Sequence, residues 1–191
     1  MRSLVFFTVA ALCCFAAASA FSAGRSSGNL VSNHVPLSAC VDKVPVRNDS
    51  TPSTNLCPYT LTVSSTMASP GDVIQVLASG FHGARFRGLY MEARVVGGDV
   101  DVAVGQFPSQ NVELDAVMRI YTRPPGENNA IGCGSRTGKG VRSITVDWKV
   151  PEDVLTECYC VYFRAMIFKS YSKFWENVDS PPIAIRVRKV C

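Results

Sequence analysis

The chain has 191 residues, a formal net charge of +4 and 47% hydrophobic residues. So mild a basic balance gives no support to nucleic-acid binding, which calls for a concentrated basic stripe, and the two histidines leave little material for a His-rich metal centre. Eight cysteines are many for this length, so the redox compartment is the first thing to establish.

The N-terminus addresses it. Met1 and Arg2 precede an apolar run from Leu4 to Ala18 and the small-residue triplet Ala18-Ser19-Ala20. That is the layout of a secretory signal peptide. The run is shorter than the roughly 20 residues that span a bilayer, which disfavours an uncleaved anchor. Cleavage is expected after Ala20, with Ala23 as the alternative, and it removes Arg2, Cys13 and Cys14. Cys40, Cys57, Cys133, Cys158, Cys160 and Cys191 remain, an even set that reads as a disulfide framework with about 15 possible pairings. Zinc is a poor alternative, because Cys158-Tyr159-Cys160 has a single intervening residue where structural sites use two to four.

Residues 21–39 are small and polar at the start and are expected to be a flexible N-terminal segment. Residues 40–191 then suffice for one domain with its own core. Asn48-Asp49-Ser50 is a glycosylation acceptor and, in an exported chain, marks Asn48 as exposed. After Cys57 the apolar period becomes two: Tyr59, Leu61 and Val63 predict a half-buried strand. Ser69-Pro70-Gly71-Asp72 is a turn, and the apolar run from Val73 to Ala78 predicts a strand of a sandwich interior. Leu89, Met91, Ala93 and Val95 alternate with Tyr90, Glu92, Arg94 and Val96. Gly97-Gly98-Asp99 is a hairpin signal before a strand through Val100, Val102 and Val104. Leu114, Ala116, Met118 and Ile120 share one face of a further strand, with a short helical turn as the alternative. Arg123 to Gly140, with two prolines and five glycines, reads as a long loop. Strands follow through Ile144, Val146 and Trp148, through Val161, Phe163, Ala165 and Ile167, and from Ile183 to about Val190. Eight or so short strands without a convincing amphipathic helix predict an all-β, antiparallel β-sandwich.

The order of several segments resembles the reeler (reelin N-terminal) domain family. They are Pro58-Tyr59-Thr60-Leu61-Thr62-Val63 followed by Ser69-Pro70-Gly71-Asp72, Phe86-Arg87-Gly88-Leu89-Tyr90-Met91-Glu92-Ala93-Arg94, Val104-Gly105-Gln106-Phe107, Asn128-Asn129 through Ser135 leading to Val146-Asp147-Trp148-Lys149-Val150-Pro151, and Tyr162-Phe163-Arg164-Ala165 before Phe174-Trp175 and Ser180-Pro181-Pro182-Ile183. Together they run from about Cys40 to Val190. The resemblance implies an immunoglobulin-like sandwich and the pairings Cys40–Cys133 and Cys160–Cys191, with Cys158 as the alternative partner of Cys191. Cys57 then takes the remaining cysteine, giving Cys57–Cys158. The family usually carries a Pro-x-His and a Thr-His where this chain has Pro45-Val46-Arg47 and Gly132-Cys133, so nothing that depends on those histidines carries over.

Catalysis needs a positioned nucleophile and base, or a metal with an open position. His34 lies in the N-terminal segment, His82 in a glycine-rich loop, and the carboxylates are scattered singly. Gly132-Cys133-Gly134 and Gly138-Lys139-Gly140 superficially resemble a phosphate loop but do not meet its pattern. No cofactor is implied, and an enzyme or redox partner is the weakest reading. Binding is better supported. Arg186, Arg188 and Lys189 on the last strand, Arg136, Lys139 and Arg142, and Arg85 with Arg87 form three basic sets. Arginine forks suit sulfate and phosphate, although scattered surface cations are also ordinary. Trp148 is expected in the core, whereas Trp175 is a candidate for an exposed contact with glycan or lipid.

A lone domain of this family implies a secreted innate-immunity binding protein that recognises anionic microbial surface molecules, such as a lipopolysaccharide or lipoteichoic acid. The alternative is an extracellular-matrix or adhesion module whose partner is a sulfated glycosaminoglycan.

Overall fold

A computed structural model describes residues 51–109, 116–135, 139–152, 158–170 and 172–187. The signal segment, Cys40, Asn48, Arg136, Arg188, Lys189 and Cys191 lie outside the described residues.

Two sheets face one another. In the smaller, β3 (Val73–Gly80) lies between β1 (Tyr59–Val63) and β7 (Ser143–Lys149), all antiparallel. The larger runs in the order β2 (Met67–Ala68), β10 (Ile183–Ile185), β8 (Tyr159–Phe168), β4 (Gly88–Val95), β6 (Ala130–Ser135) and β5 (Ala116–Tyr121). β9 (Phe174–Asp179) pairs with the C-terminal half of β8, and β10 with its N-terminal end. The all-β sandwich is therefore as expected.

The core follows from the period-two patterns. Leu61, Ile74, Val76, Ile144, Val146 and Trp148 project from one sheet, and Leu89, Met91, Ala93, Val161, Phe163 and Ile167 from the other, all buried. Side chains alternate across a strand, so one face of each must be apolar. β3 is apolar nearly throughout but buries alternate residues only: Val73 is exposed and Ile74 buried. Trp148 is fully buried, packs edge-on against Phe163 with centroids 5.2 Å apart, and donates its indole N–H to Val104 O at 3.1 Å. Gly105, at φ +68°, makes room for that ring, because a Cβ there would lie 2.3 Å from it.

Several expectations fail. Val100, Val102 and Val104 form no strand; the chain turns through Gly97 and returns with a single bridge from Val104 to Ala93. The supposed loop from Arg123 to Gly140 contains β6, which lies between β4 and the edge strand β5 of the large sheet. Its Gly132 lies against the ring of Tyr121, which a Cβ would approach to 2.8 Å. Phe174-Trp175 begins β9 rather than a loop.

β4 is buried on both faces. Opposite Leu89, Met91 and Ala93 lie Tyr90, Glu92 and Arg94, all buried as well. Arg94 Nε donates to Glu92 Oε1 at 2.6 Å, Arg123 Nη1 donates to Glu92 Oε2, and Tyr90 O–H donates to Oε2 at 3.2 Å. One carboxylate thus serves two buried guanidinium groups. Removing it would cost both their shared negative partner in a low-dielectric setting.

The pairing Cys57–Cys158 is not formed. Both are free thiols. Cys57 lies close to Asn55, whose carbonyl accepts from Trp175, and Trp175 pairs with Ile167 near the end of β8. Cys158 precedes the start of the same strand. The ten residues of β8 span roughly 30 Å, whereas a disulfide needs its Cα atoms within about 7 Å. Cys133 is buried in β6 and Cys160 half-buried in β8, and the partners expected for them, Cys40 and Cys191, are outside the described residues.

Candidate functional site

Strand direction determines which loops meet. β4 starts, and β3, β6 and β8 finish, at the same end of the sandwich. Gly88 pairs with both Phe168 and Gly134. Gly80 N–H donates to Arg142 O at 3.0 Å, Phe86 bridges to Val141, and Phe81 N–H donates to Pro58 O at 2.9 Å. Residues 55–58, 80–88, 139–143 and 168–174 are thereby gathered at one end.

The charges gathered there have one sign. Arg85, Arg87, Lys139, Arg142 and Lys169 are exposed, and Lys173 is half-buried. Among the described residues of these four stretches there is no Asp or Glu, and none of the six cations forms an ion pair. The two loops that carry Arg85 and Gly140 are tied directly, with Arg85 Nη1 donating to Gly140 O at 2.8 Å. Gly140 has φ +77°, and a Cβ on it would sit 2.7 Å from Phe86 O, so glycine is what lets the loops approach this closely. Lys169 and Lys173 close the β8–β9 turn, Lys169 N–H donating to Lys173 O at 2.9 Å.

The opposite end differs. Asp72, Asp99, Asp101 and Glu152 are exposed there, and Lys149 is neutralised by Glu152 at 2.5 Å. That contact holds the Glu152 carboxyl below the usual carboxylate range, chiefly through its hydrogen bond with Lys149. Arg186 belongs to this end, since Ile185 pairs with Tyr159 at the start of β8 and Arg186 N–H donates to Ala68 O.

Of the three basic sets, then, Lys139 and Arg142 converge with Arg85 and Arg87, and Arg186 lies roughly 30 Å away by the length of β8. The sequence reading did not single out Lys169 or Lys173; both flank a strand that it read as a loop. Trp175 does not have the exposure expected of it. It is 5% exposed, packs edge-on against Tyr59 at 5.3 Å, and donates its indole N–H to Asn55 O at 3.0 Å. Its ring holds the Lys173 ammonium 5.5 Å from the centroid, so it supports a cation of the surface rather than touching a ligand itself.

His82 is exposed in the 3-10 turn Phe81–Gly83, with φ +50°. Among the described residues no group of three His, Cys, Asp or Glu is placed to hold a metal ion, and none of their helices is long and apolar enough to cross a membrane.

A family model described as the Reeler domain matches residues 38–190. The chain is 35% identical over 170 residues to a protein named "Putative defense protein" from Locusta migratoria, covering 89% of this chain and 90% of that one. A protein of the same name from Bombyx mori is 33% identical over 166 residues, covering 86% and 87%. Among solved structures, the human F-spondin reeler domain superposes with a TM-score of 0.53 at 17% identity, covering 74% of this chain and 97% of that one, which is a likeness of fold.

Proposed function

The chain belongs to the Reeler domain family, and from that membership we propose that it is a secreted defence protein whose cationic end binds anionic microbial surface molecules. The observation that carries this reading is the set Arg85, Arg87, Lys139, Arg142, Lys169 and Lys173, gathered at one end of the sandwich without an ion pair among the described residues. Unpaired cations spaced over strand-anchored loops attract a polyanion and give its phosphates or sulfates several forked donors. The signal-like N-terminus supports export, and the names of the insect relatives support defence.

Retention of the secreted protein on immobilised lipopolysaccharide and lipoteichoic acid, alongside heparin-agarose, tests the reading. Retention on the microbial polymers that weakens from about 50 to 500 mM salt is the expected result, because exposed charges are screened over that range. Retention on heparin alone would favour the matrix reading, and retention on none of the three would refute both.

A further inference from the structure

The cationic end also carries two exposed apolar side chains. Leu56 is 95% and Phe81 54% exposed. A single exposed hydrophobe is normal on a soluble surface; these two share an end with six cations that form no ion pair among the described residues, and both sit on anchored backbone. Asn55 O accepts from Trp175 Nε1 at 3.0 Å on one side of Leu56, and Pro58 O accepts from Phe81 N–H at 2.9 Å on the other. Phe81 opens a turn closed by Ala84 N–H to Phe81 O at 2.9 Å, with His82 and Gly83 both at positive φ. The apolar tips are thus held out by fixed backbone.

We propose that this end docks on an anionic lipid bilayer, with Leu56 and Phe81 entering the acyl region and Arg85, Arg87, Lys139, Arg142, Lys169 and Lys173 meeting the headgroups. The proposal rests on the anion-binding reading of the same end and narrows its ligand to an anionic amphiphile rather than a polysaccharide. Apolar tips ringed by cations are what an anionic bilayer interface selects, because apolar burial and headgroup attraction then act together. Charge sets this end apart from the other exposed hydrophobes. Val73 and Val100 are about half exposed but lie at the opposite end, next in sequence to Asp72 and to Asp99 and Asp101, which anionic headgroups repel.

The test is co-sedimentation of the full secreted chain with vesicles of phosphatidylcholine and phosphatidylglycerol (3:1), against phosphatidylcholine alone, with heparin-agarose elution run in parallel. Expected are binding to the anionic vesicles only, a loss of at least about tenfold in the double variant L56S/F81S through the apolar area no longer buried, and an unchanged heparin elution point for that variant. Loss of both activities is expected for R85S/R142S. Retention on heparin without vesicle binding, or equal vesicle binding by L56S/F81S and wild type, would overturn the docking and leave the anion-binding reading intact. Failure on both supports would overturn the two together. Both apolar side chains are exposed, so an unchanged thermal midpoint is expected to show that L56S/F81S folds.

Discussion

Arg85 and Gly140 lie 55 residues apart in the sequence and are joined by a 2.8 Å hydrogen bond from Nη1 to the carbonyl oxygen. That bond unites two basic loops into one surface, and the backbone of Gly140 makes it possible. Gly140→Ala is therefore expected to cost about 1–3 kcal/mol, from left-handed strain and the close Phe86 oxygen together, and to weaken anion retention as the loops part. Gly97→Ala is the comparison: φ is +75° there, but a Cβ would meet nothing within 4 Å, so only the strain remains. Urea denaturation of both variants checks the ordering.

Gly105→Ala should be more damaging. Its Cβ would intrude to 2.3 Å on the Trp148 ring, which is fully buried and cannot swing away without breaking its bond to Val104 O. A loss of about 2–4 kcal/mol is expected for such overpacking with added backbone strain, together with a red shift of tryptophan emission as the indole site loosens.

The carboxylate of Glu92 sits between Arg94 and Arg123. Glu92→Gln keeps the shape and removes the negative charge that both buried guanidinium groups contact. A loss of about 3–5 kcal/mol is expected. The double variant E92Q/R123M should recover part of it, read as a higher midpoint than E92Q alone.

Burial pushes the Cys57 thiol above its ordinary value, a shift that the backbone of Tyr59 only partly offsets. A raised pKa leaves less thiolate at any given pH, so alkylation of Cys57 near pH 8 should be slow and should accelerate only as pH passes the ordinary thiol range. Cys158 is exposed. Iodoacetamide labelling followed by peptide mapping should find Cys158 modified well before Cys57, and a Cys57–Cys158 linked peptide would contradict the structure.

Strands with one wet face were plain in the sequence. Ile144, Val146 and Trp148 alternate with polar residues, and β7 is where they place it. β6 was hidden because Gly132 and Gly134 are turn signals by composition; the strand needs glycine at 132, where the ring of Tyr121 presses close. β4 misled in another way. Glu92 and Arg94 occupy the positions of a solvent face, and only the tertiary arrangement, which brings Arg123 to Glu92 from 31 residues away, shows that face to be covered. For the site, arginine and lysine content was legible, but which basic sets meet depends on strand direction. Arg142 joins Arg85 because β7 begins where β4 begins, and Arg186 is excluded because β10 pairs with the start of β8.

Anion binding is proposed for the end that carries Arg85, Lys139 and Arg142, and not for the end that carries Arg186. The most direct test compares R85S/K139S/R142S with R186S by retention on immobilised lipopolysaccharide at about 150 mM salt, near the physiological screening length. The triple variant is expected to be lost from the support while R186S is retained like wild type. Equal retention of the triple variant, or loss confined to R186S, would contradict it.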